Sequence, residues 1–86
     1  MGHPLDVRVL DADGDPLEGL RVRVVIDAVK REDFEEYTDE EGHAVFETAA
    51  DYEPSTELTI FVKGKPFGPY EIDDGAYVIE LEARER

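Results

Sequence analysis

Asp11, Asp13 and Asp15, in the stretch DADGDPLEG, are the residues whose type and spacing most suggest a cation site. Calcium takes about six to eight oxygens, and an EF-hand loop runs D-x-D-x-D-G to a bidentate Glu at its twelfth place. Here Gly14 stands fourth, Pro16 takes the sixth place where glycine is required, and Val22 stands twelfth. The EF-hand template fails. A different calcium geometry, with Glu18 as a further oxygen, is the weaker alternative to a turn in which Asp, Gly and Pro supply tight backbone conformations. Other reactive groups are sparse. His3 and His43 are too few for a histidine-rich metal site, and Ser55, the only serine, lacks the G-x-S-x-G setting of a nucleophile elbow. The adjacent acid pairs Glu35 and Glu36, Glu40 and Glu41, and Asp73 and Asp74 sit in strands or turns, where they diverge or stay hydrated instead of sharing a proton.

The second cluster is FVKGKPFGPY, where Lys63 and Lys65 lie among Phe61, Phe67 and Tyr70 in an otherwise acidic chain. Aromatic faces beside cations stack a sugar ring or receive an acidic peptide, and an edge strand accepts a peptide strand. The plainer reading, which the need to close the ends of a small sandwich favours, has Phe67 and Tyr70 capping the core, Phe61 packing under a loop, and the lysines neutralising nearby carboxylates.

These residues must be held by a small scaffold. Eighty-six residues suit a single domain (1–86) with one hydrophobic core, too small to enclose a deep catalytic cavity. The 23 acidic against 9 basic residues give a net charge of −14, which repels phosphate backbones and anionic lipid, so nucleic acid is excluded as a partner. Abundant Asp and Glu with only three lysines also suit a salt-rich solvent, and hence a halophilic source, because salt screens self-repulsion. Cysteine is absent, removing disulfides and thiolate metal sites. No apolar stretch approaches the roughly 20 residues of a membrane-spanning helix, and MGHPLDVRVL is not organised as a signal peptide. The compartment stays open: extracellular or cell-surface for a piece of a larger secreted protein, cytoplasmic for a whole chain.

Alternation with period two predicts strands with one buried face near 5–10 (Leu5, Val7, Val9 inward) and 20–27 (Leu20, Val22, Val24, Ile26 inward). Further strands are predicted near 34–38, 43–48, 57–63, 70–72 and 76–82. DADGDPLEG is expected to close a hairpin between the first two, and Asp39 to Gly42 a second hairpin between the third and fourth. The prolines of KPFGPYEI confine that segment to a bend or sheet edge. Two antiparallel sheets face to face follow, since a lone sheet would leave one apolar face wet. The expected fold is thus all-β, a seven-stranded antiparallel Greek-key sandwich of immunoglobulin or transthyretin type.

The order of a first strand, D-A-D-G-D-P-L-E-G, an alternating V-R-V-V strand, Y-T-D-E-E-G-H-A-V-F and L-T-I-F-V resembles the carboxypeptidase regulatory-like domains, within the wider transthyretin-like and Cna-B-like sandwiches. Asp11, Gly14, Pro16, Leu17 and Gly19 match a "D-x-x-G-x-P-L-x-G" turn. Thr38, Asp39, Gly42 and, two places late, Phe46 approximate a "T-D-x-x-G-x-F" segment. The resemblance implies a non-catalytic accessory module, a spacer or interaction domain on a longer chain, working with protein partners or neighbouring domains as a monomer or weak homodimer and needing no cofactor. The 5-hydroxyisourate hydrolases share the transthyretin-like fold, but their C-terminal Tyr-Arg-Gly-Ser is missing here. A carbohydrate- or peptide-binding module using Phe61 to Tyr70 is the alternative. Clean alternation and a charged surface also fit a designed domain without a ligand.

Overall fold

The structure, a computed structural model, describes residues 3–49 and 51–81. Seven strands follow one another: β1 (Pro4–Leu10), β2 (Arg21–Asp27), β3 (Asp33–Tyr37), β4 (His43–Glu47), β5 (Glu57–Val62), β6 (Lys65–Glu71) and β7 (Ala76–Glu80). A short 3₁₀ turn, Ile72–Asp74, is the sole helical element among the described residues, so no helix there is long and apolar enough to cross a membrane. The strands form a three-stranded sheet, β4-β1-β7, and a four-stranded sheet, β3-β2-β5-β6, packed as the expected β-sandwich. The charged tail 82–86, and with it the predicted end of the last strand, lies outside the described residues.

The alternation read from the sequence is the alternation of burial. Leu5, Val7 and Val9 from β1, Val22, Val24 and Ile26 from β2, and Leu58, Ile60 and Val62 from β5 have no exposed surface. Ala44 and Phe46 of β4 and Tyr77 and Ile79 of β7 complete the filling between the sheets. Ile72, predicted to end a strand, instead turns into the core from the 3₁₀ segment. Tyr77 keeps its hydroxyl satisfied by donating to the Glu71 carbonyl at 2.6 Å, and burial pushes its pKa up.

Three pairings differ from expectation. First, β1 and β2 lie in different sheets, so DADGDPLEG is a crossing between layers and not a hairpin. Second, β3 and β4 are likewise split between the sheets, with Asp39 to Gly42 between them. Both flanks of β1 are occupied, by β4 and β7, and both flanks of β2 by β3 and β5, which leaves no edge for the expected hairpins. Third, β1 and β7 run parallel, so the sandwich is antiparallel except at this pair. A parallel pair needs a long crossover, and here the rest of the fold, including the whole opposite sheet, supplies it.

The tight hairpin is at Lys63 and Gly64, joining β5 to β6. Both residues have positive φ (55° and 80°), the type I′ pattern that matches strand twist. Strand β6 runs from residue 65, well before the predicted residue 70, because a strand paired on one side only tolerates Pro66 and Pro69. Its ladder shifts register between Leu58 and Ile60, next to the cis Gly68–Pro69 peptide.

Candidate functional site

The Asp11 and Asp39 segments turn out to be the same loop used twice. Asp11 Oδ1 accepts from the amides two and four residues on, Asp13 and Asp15, both at 2.9 Å. Asp39 Oδ1 accepts from Glu41 at 2.9 Å and His43 at 3.0 Å, the same two offsets. Each loop also closes a backbone bond from the glycine three residues on, Gly14 to the Asp11 carbonyl and Gly42 to the Asp39 carbonyl, both 3.0 Å. The amides of His43 and then Glu41 hold the Asp39 carboxyl below its usual range, since they bind only the ionised form well. The shared D-x-x-G spelling is therefore a backbone requirement.

The two loops interlock at one end of the sandwich. The Val9 amide donates to the Gly42 carbonyl at 2.8 Å, and the Leu17 amide donates to the Val9 carbonyl at 3.1 Å. Thr38, buried between the sheets' edges, accepts from the Leu20 amide through Oγ1 (2.9 Å) while its carbonyl takes the Gly19 amide (2.9 Å). Gly42 is hemmed in so closely that a Cβ would lie 2.7 Å from the Val9 carbonyl oxygen and 3.1 Å from the Pro16 side chain. Asp11, Asp13 and Asp15 each offer an oxygen within 4.8 Å of the others, a spacing a cation would accept. Asp11 Oδ1 is committed to two amides, however, and Asp13 and Asp15 are exposed.

The residues singled out between Phe61 and Tyr70 do not form one surface. Phe67 pairs with Ile60 and Tyr70 with Leu58, which places both rings on the inner side, against the core. Tyr70 packs on Tyr77 with centroids 5.3 Å apart. Lys63 stands in the hairpin turn and Lys65 opens β6, both exposed. Phe61 alone points to the outer face of the four-stranded sheet, where it is half-buried beside Arg23, its partner in the ladder.

That outer face carries a recess which the sequence did not reveal. Arg21, Arg23, Val25 and Asp27 alternate outward along β2, yet Val25 is only 7% exposed. Val25 is the floor of a groove of about 320 Å³ whose walls are Arg23, Asp27, Arg31, Thr59 and Phe61. A second hollow of about 230 Å³ continues past Phe61 towards Arg21 and Gly64. Arg21 Nε meets Glu35 Oε2 at 2.7 Å and Arg23 meets Asp33 at 3.2 Å, both pairs half-exposed. The alternation RVRVVID already put the arginines outward. Only the register of β2 against β5, which brings Phe61 to Arg23 and Thr59 to Val25, builds the recess.

The loop that delivers Arg31, residues 28–32, is anchored at both ends. The Ile26 amide donates to the Glu32 carbonyl at 2.9 Å, and the Tyr52 hydroxyl lies 2.8 Å from both the Lys30 carbonyl and Glu32 Oε1. Burial first, then the hydrogen bond and charge of Glu32, push the Tyr52 phenol up to about 12. Its pKa in the unfolded chain is about 10, so the stabilisation it brings is complete below that pH and declines as pH rises from 10 to 12. The tyrosinate absorbance lost in Tyr52→Phe, subtracted from that of the parent, is expected to titrate near pH 12. A difference curve centred near 10, the free phenol's value, would show the anchor absent.

The histidines have partners of their own. His43 Nδ1 lies 2.8 Å from Asp6 Oδ1 on the outer face of the three-stranded sheet, half-buried and opposite Arg8. His3 Nε2 accepts the Tyr52 amide at 2.9 Å. Ser55 lies in an exposed turn before β5.

Comparison with known proteins bears on the fold. No protein-family model matches the chain, and no curated protein sequence does. Among solved structures, the chain is similar to part of a 9R-lipoxygenase from Cyanothece PCC8801, with a TM-score of 0.53 and 14% sequence identity. The likeness covers 95% of this chain but only 16% of the lipoxygenase, and at that identity it is a likeness of fold alone.

Proposed function

We propose that the chain is a non-catalytic β-sandwich accessory module, of the kind the carboxypeptidase regulatory-like domains represent, serving as a spacer or a protein-interaction module. The observation that carries this reading is the interlocked pair of D-x-x-G loops. Asp11, the one member of the aspartate cluster whose carboxylate accepts, and Asp39 each accept two backbone amides within their own loop, and backbone bonds through Val9 fasten the two loops at one end of the sandwich. The chemistry-bearing side chains left over are dispersed, with His43 on Asp6 in one sheet and Arg21, Arg23 and Arg31 on the other sheet and its loop. That a sandwich of this shape fills 16% of a longer lipoxygenase chain is in keeping with a module built into larger proteins. The net charge of −14 gives such a module a strongly hydrated surface, suited also to a salt-rich medium.

A panel of ester, amide, glycoside and phosphate substrates tests the reading. Turnover no faster than in buffer is expected; turnover abolished by His43→Ala or Asp6→Asn, the one His–carboxylate pair among the described residues, would contradict it. The second reading, a carbohydrate- or peptide-binding module, finds its support in the groove beside Phe61 and not in the whole set Phe61, Lys63, Lys65, Phe67 and Tyr70, whose rings point to opposite sides of the sheet.

A further inference from the structure

We infer that the groove on the outer face of the four-stranded sheet is a binding site for a monocarboxylate carried on an aromatic or apolar body, with Arg31 and Arg23 receiving the anion and Phe61 and Val25 the body. It deepens the interaction-module reading and rests on it.

Charge distribution is the first argument. Of the nine basic residues, Arg84 and Arg86 lie outside the described residues, and of the other seven only Arg8 belongs to the three-stranded sheet. Arg21, Arg23, Lys30, Arg31, Lys63 and Lys65 all belong to the four-stranded sheet or its loops. A chain with 23 acids thus has six of the seven Arg and Lys residues among its described residues on one layer. Within that layer Arg31 makes no ion pair among the described residues, although carboxylates abound. The Tyr52 and Ile26 hydrogen bonds to Lys30 and Glu32 hold the backbone of its loop beside the recess, whose wall the exposed Arg31 side chain joins with no anionic neighbour paired to it. Arg23 has one 3.2 Å contact with a half-exposed Asp33, an exchangeable pair of the kind worth little by itself.

The shape and the remaining wall select the ligand. Val25 and the half-buried Phe61 offer an apolar floor and an aromatic face, while Thr59 adds a hydroxyl. Four of the six lining residues are polar or charged, so the polar groups dominate the orientation of a ligand while Val25 and Phe61 supply the contact for its body. A carboxylate matches the planar fork of arginine, with bidentate geometry available to it. Asp27 on the same wall opposes a second negative charge, which favours a monoanion over a phosphate dianion.

The test is an amide-resolved NMR titration of the intact chain with N-acetylphenylalanine and, separately, with N-acetylphenylalaninamide, which has the same body without the charge. Saturable shifts at Val25, Thr59 and Phe61 with the acid, at least roughly tenfold weaker binding of the amide, and a loss of about tenfold in Arg31→Gln are expected, the size of one charge-assisted hydrogen bond. Arg31 is exposed on a loop, so Arg31→Gln retains the parent's spectrum and melting midpoint and its loss of binding is not unfolding. Equal binding of acid and amide, shifts confined to other residues, or undiminished binding by folded Arg31→Gln would overturn the proposal while leaving the accessory-module reading in place. Consumption of the acid during the titration, seen in its own resonances, would instead sink the non-catalytic reading.

Discussion

Gly42→Ala is expected to lower the unfolding free energy by about 2 to 4 kcal/mol, whereas Gly14→Ala, at the equivalent place in the twin loop, lowers it by only about 1 kcal/mol. Both glycines have φ in the left-handed region, +80° and +88°. An L side chain there costs about 1 to 2 kcal/mol, offset in part by about 0.4 to 1 kcal/mol from the stiffer unfolded chain. The two sites differ in what surrounds them. Nothing lies within 4 Å of a Cβ at Gly14, but at Gly42 it meets the Val9 carbonyl oxygen at 2.7 Å, a backbone atom that cannot rotate away. Forcing that contact open adds about 1 to 3 kcal/mol, as overpacking does elsewhere. For a domain of this size each kcal/mol moves the melting midpoint by about 4 to 8 °C, so the gap between the two variants is measurable by calorimetry. Equal losses would mean that the loops do not interlock.

The second large effect concerns the shared core. Leu5 sits in the central strand of one sheet and Ile60 in the other, and neither has exposed surface. Leu5→Ala and Ile60→Ala are each expected to cost about 2 to 5 kcal/mol, the loss of transfer energy plus the cavity left behind. Val45 and Val78, 65% and 61% exposed on the outer face of the three-stranded sheet, should change stability by no more than about 0.5 kcal/mol on the same substitution. Urea unfolding followed by tyrosine fluorescence checks all four. The core variants should shift the midpoint of one transition without changing its slope. A Leu5→Ala effect as small as that of Val78→Ala would mean that the β1 sheet does not close over the β2 sheet.

The contrast between those two sets of residues shows how much of the fold was legible. Which side chains face inward follows from period two, and Val22, Val24 and Ile26 or Leu58, Ile60 and Val62 are buried as the alternation requires. Which strands are neighbours does not follow, because an alternating strand is satisfied by any partner that covers the same face. The D-x-x-G loops misled for a related reason. Their hydrogen bonds are local, between Asp11 and Asp15 or Asp39 and His43, and redirect the chain equally well within a sheet or from one sheet to the other. The tight hairpin is not legible in the sequence because the first of its two positive φ angles falls on Lys63, a residue type with no special liking for that region. The groove was the least legible feature. It depends on Val25 being covered on the solvent face, and on Arg23 and Phe61, far apart in sequence, meeting across the ladder.

The acidic loops are fasteners that act through backbone hydrogen bonds, and Asp11 is the residue at which this can be decided. Melting midpoints should be measured for the parent, Asp11→Ala and Asp11→Asn, each with calcium and with a chelator. Asparagine keeps the Oδ1 acceptor for Asp13 and Asp15 but removes the charge a cation needs. The prediction is that Asp11→Asn melts close to the parent, that Asp11→Ala loses about 1 kcal/mol, as other lost capping residues do, and that calcium moves none of the three. A parent stabilised by calcium, with the increment abolished in Asp11→Asn, would contradict it.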